Sequence, residues 1–206
     1  MPEITIAFNP KGERLSMSDP VDQIFTQFPE YETERLILRQ IVSADAPSIM
    51  AVFGDEAVTN YYDLYTFTRM TEAVELIEYF SESYRSERQI RWGIVRKEDN
   101  QLIGTCGFVA IHTHRGEIGY DLASAYWRQG YMTEALEVLL EVGFDDMHLH
   151  RIEALVMVDN IASAGLLRKR GFTEEGVLRD YDFFKEAFQD LRSFALLEGE
   201  FDSSYE

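Results

Sequence analysis

The stretch that most constrains this 206-residue chain runs from Glu117 to Met147, EIGYDLASAYWRQGYMTEALEVLLEVGFDDM. Residues 117–122 read as a strand, and residues 123–131 as a turn with Gly130 near its end. From Met132 the apolar positions fall at Met132, Ala135, Leu136, Leu139, Leu140, Gly143, Phe144 and Met147. That is the i, i+3, i+4 spacing of a helix with one buried face, and it leaves Glu137 and Glu141 on the other. A strand that turns tightly into a helix gathers unpaired backbone N–H groups and the positive end of the helix dipole in one place, which suits a phosphate. The stretch is expected to hold a phosphate-bearing cofactor.

The flanking elements set the fold class. Residues 35–41 read as a strand, followed by a helix with Ser43 as N-cap, Pro47 in its first turn, a face of Ala46, Ile49, Met50 and Phe53, and Gly54 at its end. After an aromatic loop with Tyr61, Tyr62, Tyr65 and Phe67, a second helix capped by Thr71 buries Ala73, Leu76, Ile77, Phe80 and Tyr84. Residues 89–96 and 101–111 pair as a hairpin about Glu98-Asp99-Asn100. Beyond the central helix come a strand at 151–158, a helix capped by Asp159 or Asn160 and ending at Gly171, and two strand-like runs at 177–184 and 189–197. The order β-α-α-β-β-β-α-β-α-β-β predicts a mixed α/β (α+β) domain with a largely antiparallel sheet and one β-α-β crossover. Residues 33–199 form this domain. Residues 1–32 are an extension broken by Pro10, Gly12, Pro20 and Pro29, in which Val21, Ile24, Phe25 and Phe28 have the spacing of a short docking helix, and residues 200–206 are a tail.

Charge narrows the partners. With 37 acidic against 19 basic residues, the net charge of -18 would repel nucleic acid and anionic membranes. It leaves two readings, simple solubility or attraction of a cationic substrate. No apolar run approaches the ~18 residues of a membrane span, and the N-terminus lacks the basic and apolar regions of a secretory signal. A single cysteine, Cys106, excludes a disulfide framework and fits a reducing cytoplasm. Cys106 reads as a buried strand cysteine. The pairs His112/His114 and His148/His150 lack completing carboxylates or thiols, so no metal is expected.

Four pieces of the chain, ETERLILR at 32–39, EIGYDL at 117–122, YWRQGYMTEAL at 126–136 and HRIEALVMVDNIASAGLLRKRGF at 150–172, resemble the GNAT N-acetyltransferases, in the branch of RimJ/RimL-like ribosomal-protein N-terminal acetyltransferases. The resemblance covers roughly residues 33–197 and implies the GNAT fold, with helices on both faces of a sheet whose central strands splay apart between 117–122 and 151–158. It implies acetyl-CoA as cosubstrate. The family signature Gln/Arg-x-x-Gly-x-Gly/Ala falls on Trp127-Arg128-Gln129-Gly130-Tyr131-Met132, where Gly130 matches, Trp127 replaces the first polar residue and Met132 the small one. Arg128, Gln129, Gly130, Tyr131, Met132 and Thr133 would bind the pyrophosphate through backbone N–H groups. Leu122 and Ala123 would pair with the pantetheine arm, and an N–H near Leu122 would meet the thioester carbonyl. Asn160 would bind the pantetheine or a water, Ser163 would donate a proton to the leaving sulfur, and Arg168 and Lys169 would reach the outer phosphate.

Direct attack of an amine on the thioester needs a base, and Glu117 at the start of the central strand is the first choice. An α-amine with a pKa near ~8 needs only modest help, unlike a lysine near ~10.4. Each role has a structural alternative: Glu117 as a salt-bridge partner, Asn160 and Ser163 as helix caps, Arg168 and Lys169 as a solvated helix end, and Glu134 as a first-turn carboxylate favoured by the helix dipole. The expected activity is acetyl transfer to a primary amine, foremost a protein N-terminus, by a monomer or homodimer. A small amine such as a polyamine or aminoglycoside is the alternative acceptor, and a non-catalytic acyl-CoA-binding module the alternative class.

Overall fold

The computed structural model describes residues 20–201. Its strands are β1 Tyr31–Glu32, β2 Leu36–Gln40, β3 Ile90–Arg96, β4 Gln101–His112, β5 Arg115–Leu122, β6 Arg151–Met157, β7 Thr173–Phe184 and β8 Ala187–Leu197. Its α-helices are α1 Pro20–Gln23, α2 Ala46–Phe53, α3 Glu56–Thr59, α4 Met70–Arg85, α5 Tyr131–Glu141 and α6 Ile161–Lys169. The strands form one eight-stranded sheet in the order β1-β2-β3-β4-β5-β6-β8-β7. Every neighbouring pair is antiparallel except β5 and β6, which run parallel because α5 carries the chain back between them. This is the mixed, largely antiparallel architecture that the pattern predicts, with the crossover where the periodicity puts it.

The apolar stripes decide which face each helix covers. Ala135, Leu136 and Leu139 of α5 and Ala164 and Leu167 of α6 join Leu36, Leu38, Trp92, Phe108 and Ile152 in the larger core. Ile49, Val52 and Phe53 of α2 and Ala73, Ile77 and Phe80 of α4 form the second core on Val95 and Leu102. The sheet is thus covered on both faces, and its middle strands read as nearly continuous buried runs.

Local boundaries differ from the sequence pattern for identifiable reasons. Helix α2 is entered through a tight 3-10 turn at Ser43–Asp45, and its N-cap is Asp45, which is clamped by Arg39 through bonds of 2.8 Å. Helix α4 starts at Met70, one residue before Thr71, because the Glu72 carboxylate accepts the Arg69 N–H at 2.8 Å. The central helix begins at Tyr131 and widens into a π turn over Val142–Asp146, which keeps Phe144 and Met147 on the core side. Of the extension, residues 1–19 lie outside the described residues. In the part described, the helix is only the short α1, yet Ile24 is buried, Phe25 and Phe28 pack against Tyr84, and Trp92 Nε1 donates to the Pro29 carbonyl at 2.8 Å.

Gly143 fills one of the apolar positions of the central periodicity because the site has no room for more. A Cβ there would lie 2.6 Å from Ile152 Cδ1 and 2.9 Å from Phe108 Cζ. An unconstrained helix glycine gains about 1 kcal/mol on replacement by alanine. Here Gly143→Ala is expected to cost about 1–3 kcal/mol through overpacking. Urea unfolding of the two proteins checks this, and a gain in stability would contradict it.

Candidate active site

The site is organised where two parallel strands stop pairing. Strands β5 and β6 are in register only at Arg115↔Arg151, Gly116↔Ile152 and Glu117↔Glu153. Beyond that rung β5 stays with β4 through Leu122, and β6 stays with β8 through Met157, so a gap opens between them. The Ala123 N–H donates to Ile103 O on β4 at 2.8 Å. Backbone direction alternates along a strand, so the N–H groups of Tyr120 and Leu122 turn the other way, to the gap. The Leu122 carbonyl, also on that side, accepts the Trp127 indole N–H at 2.7 Å, which stitches the turn back onto the end of the strand.

At the far end of the gap the turn enters α5. Gly130 is the N-cap, with φ +84, a left-handed conformation that a glycine adopts without strain. The first helical bond runs from Glu134 N–H to Gly130 O at 3.0 Å, so the N–H groups of Tyr131, Met132 and Thr133 have no acceptor within the helix. An anion fits here: three donors, the dipole of an 11-residue helix and no side chain on the capping residue. The Met132 side chain packs against the larger core, away from this mouth. Arg128 is exposed with φ 60, and Gln129 is held by Nε2–H donation to Ala125 O at 2.8 Å.

Arg35 braces the turn. Its Nη1 donates to Gln129 O at 2.9 Å, its Nε to Glu134 Oε2 at 2.6 Å, and its guanidinium lies 4.5 Å from the centre of the Tyr131 ring. Glu134 also accepts the Arg35 N–H at 2.9 Å and the Thr33 hydroxyl. Burial alone would raise the Glu134 carboxyl, but hydrogen bonds from Thr33 and Arg35 outweigh it and hold it below the usual range.

Glu117 and Glu153 occupy the last parallel rung side by side. Glu153 is bonded to Arg151 at 2.5 Å and lies 3.6 Å from Arg115, whereas among the described residues Glu117 has neither a hydrogen bond nor a salt bridge. Burial first, and then the charge of Glu153, push the Glu117 carboxyl above its usual range. On the opposite face of β5, Ser163 Oγ and Tyr120 OH are 2.7 Å apart, joining α6 to β5. Burial pushes the Tyr120 phenol up to about 12, so it is protonated at neutral pH. Asn160 caps α6, its Oδ1 accepting the Ser163 N–H at 3.1 Å. At the other end of that helix Arg168 is bound to Glu174 and Lys169 is exposed, while Arg170 crosses to Glu137 on α5 at 2.6 Å.

The structure therefore brings Glu117, Leu122, Ser163 and Asn160 to the gap and residues 128–133 to its mouth, and sets Arg168 and Lys169 at the far end of α6; Ala123, expected to pair with the arm, instead spends its N–H on Ile103 and its carbonyl on the Tyr126 N–H. Sequence reasoning missed Tyr120, Arg35 and a buried cluster on the Glu117 face of β5, opposite Tyr120. In that cluster Asp121 accepts Arg91 Nη2–H at 2.5 Å, the Thr105 hydroxyl at 2.7 Å and the Thr105 N–H at 3.0 Å. The visible signal was a charge in each of two strands, Arg91 in QIRWGIV and Asp121 in EIGYDL, at positions whose neighbours are apolar.

The acetyltransferase (GNAT) domain family model matches residues 35–173. An uncharacterized N-acetyltransferase of Bacillus subtilis (strain 168), YoaA, is 45% identical over 156 residues, covering 75% of this chain and 88% of its own. The [Ribosomal protein uS5]-alanine N-acetyltransferase of Escherichia coli (strain K12) is 28% identical over 104 residues, covering 49% of this chain and 54% of its own. Among solved structures, a GNAT-family acetyltransferase from Bacillus anthracis superposes with a TM-score of 0.75 at 25% identity, over 84% of this chain and 100% of that one. RimL, a ribosomal L7/L12 alpha-N-protein acetyltransferase in complex with coenzyme A, superposes with a TM-score of 0.73 at 21% identity, over 85% and 100% of the two chains, which shows the shared fold.

The Arg35–Glu134 brace has a measurable consequence. Glu134→Gln removes a charge that accepts from two residues and is expected to cost about 1.5–3 kcal/mol at pH 7. The folded carboxyl titrates below its unfolded value, so this contribution is present above about pH 4.3 and lost as the pH falls through the folded value. Urea unfolding at pH 7 and at pH 3 should show a gap between the two proteins that closes in acid; an equal gap at both would contradict this origin.

Proposed function

The chain belongs to the GNAT acetyltransferase family and is an acetyl-CoA-dependent N-acetyltransferase; from that premise we propose that its acceptor is a protein N-terminal α-amine. The observation that carries this reading is Glu117, a half-buried carboxylate without a hydrogen bond or an ion pair among the described residues, standing at the point where the strands part. A single carboxylate, even one raised by burial and by Glu153, is a weak base. It is matched to an α-amine near ~8 and not to a lysine near ~10.4. The similarity to a ribosomal-protein alanine N-acetyltransferase supports the same acceptor class.

Bound acetyl-CoA supplies the acetyl thioester. The chain's residues divide the remaining work. The three N–H groups after Gly130 and the α5 dipole hold the phosphates, and Trp127 and Arg35 keep that turn in place. The N–H groups of Tyr120 and Leu122 orient the arm in the gap and donate to the carbonyl that lies there. Glu117 takes the proton from the attacking ammonium, directly or through water. Ser163, hydrogen-bonded to the protonated Tyr120, returns a proton to the departing sulfur as the new C–N bond forms and the C–S bond breaks. Asn160 fixes the first turn of α6 and with it the position of Ser163.

Release of free CoA, measured over peptides with different N-terminal residues and over small amines, tests the acceptor. Turnover is expected on peptides, and turnover on polyamines or aminoglycosides alone would overturn the N-terminal reading. The base is tested by pH. Protonated Glu117 cannot accept a proton, so kcat should rise with pH through a value above the ordinary ~4.3 of glutamate. Glu153→Gln removes the neighbouring charge and should move that limb to lower pH, and Glu117→Gln should lower kcat by about 100-fold or more. A limb that ignores Glu153→Gln would rule Glu117 out as the titrating group.

A further inference from the structure

We propose that Arg91 is an acceptor-binding residue that reads the carbonyl group next to the amine, so that the site selects an α-amino acyl group (an amino-acid amide or the first residue of a peptide) over a plain amine. The inference rests on the N-terminal reading above, which it makes specific at one atom.

Arg91 lies on β3 and is 3% exposed. Its Nε donates to Thr105 Oγ1 at 2.7 Å, and its Nη2 donates to Asp121 at 2.5 Å and to Tyr62 OH at 3.2 Å. Those bonds use the Nε hydrogen and both hydrogens of Nη2. Among the described residues no hydrogen bond uses Nη1. Among the described residues the wholly enclosed side-chain nitrogens and oxygens without a partner are Ser83 Oγ, Gln89 Nε2 and Arg170 Nε; Nη1 is not one of them, so a sliver of its surface stays accessible although the side chain is 2% exposed. A charged guanidinium arm, otherwise buried and fully bonded, thus offers two N–H donors to whatever enters beside it.

The opening lies next to the proposed base. Alternation puts Glu117, Gly119 and Asp121 on one face of β5. A Cβ on Gly119 would stand 3.0 Å from Arg91 Nη1 and 2.9 Å from Val109 Cγ1. The absent side chain is what leaves the space over Nη1. Two residues along a strand span about 7 Å. An α-amine held at the Glu117 carboxylate therefore has its own carbonyl oxygen, three bonds further on, within reach of Nη1.

Asp121 makes this donor compatible with a cationic substrate. A lone arginine would repel the incoming ammonium, whereas the Arg91–Asp121 pair has no net charge and keeps its donors. A polyamine or a simple alkylamine has no carbonyl to offer. On binding, it would strip water from Nη1 and leave a buried charged donor unpaired, which is the way a polar site rejects an analogue.

The test compares glycinamide with propargylamine, primary amines of similar size and basicity of which only the first has a carbonyl. The wild type should favour glycinamide in kcat/KM by about tenfold or more, mainly through KM. Replacing Arg91 itself would leave Asp121 buried alone and endanger folding, so the variant is Gly119→Ala, whose methyl crowds Nη1 and Val109 while both partners of the ion pair remain in the chain. In Gly119→Ala the ratio should fall toward one while acetyl-CoA still raises the unfolding temperature. In an NMR titration of protein with 15N-labelled arginine, glycinamide and not propargylamine should shift the Arg91 Nη1 signal. Equal kcat/KM for the two amines, a ratio unchanged in Gly119→Ala, or an Nη1 signal that responds to both alike would overturn the proposal. If glycinamide is preferred and no peptide is acetylated, the protein N-terminal reading fails while the carbonyl reading stands. Absence of turnover on every amine would overturn both.

Discussion

Three parallel rungs between β5 and β6, and none after them, set the terms for the rest of the molecule. Most of the sheet is antiparallel and could close on itself through hairpins. A single parallel pair forces a crossover, and α5 is that crossover. The strands then diverge because each is bound more extensively to its outer neighbour, β5 to β4 and β6 to β8. The divergence leaves backbone groups of β5 facing a gap in the middle of a sheet, a cost that an amide-bearing ligand can offset by completing the ladder. The fold thus stores an incomplete strand pairing beside a helix N-terminus, and that combination takes an acyl chain with a phosphate at one end.

Two ion pairs maintain this arrangement, in different ways. Arg35 and Glu134 tie the residues just before β2 to the first turn of α5 and hold Gln129 and Tyr131 with it, so the turn before α5 is braced by the chain's own side chains. Arg91 and Asp121 are both 2% exposed at the side chain, on the Glu117 face of β5. A pair so buried recovers its desolvation cost only when its other donors and acceptors are satisfied. Thr105 and Tyr62 supply those partners, and Nη1 is the arm of the guanidinium that they leave over.

Much of this could be read from the residues. The 3.6 periodicity from Met132 to Met147 gave the central helix, and the change of pattern at Ala123 gave the turn, because burial on one face dictates spacing directly. The alternation around Glu98-Asp99-Asn100 gave the β3–β4 hairpin. Glu117 is legible from its place at the start of the central strand, and Ser163 and Asn160 from the resemblance of the 150–172 piece. Arg35, Tyr120 and Arg91 are not legible, for a common reason. Their partners are 99, 43 and 30 residues away, and a pairing at that distance leaves no local pattern. Met132 replaces the small residue of the signature, and its side chain packs against the larger core. Asp45, not Ser43, caps α2 because Arg39 on the neighbouring strand holds its carboxylate.

The central claim is that acetyl-CoA completes the broken pairing of β5 and sits on the N-terminus of α5. Amide hydrogen exchange read residue by residue, with and without acetyl-CoA, tests it most directly. The account predicts added protection at Tyr120 and Leu122 and at Tyr131, Met132 and Thr133, with little change at Ala123, whose N–H is already bonded to Ile103. Protection confined to other segments, or none at Tyr120 and Leu122, would contradict it.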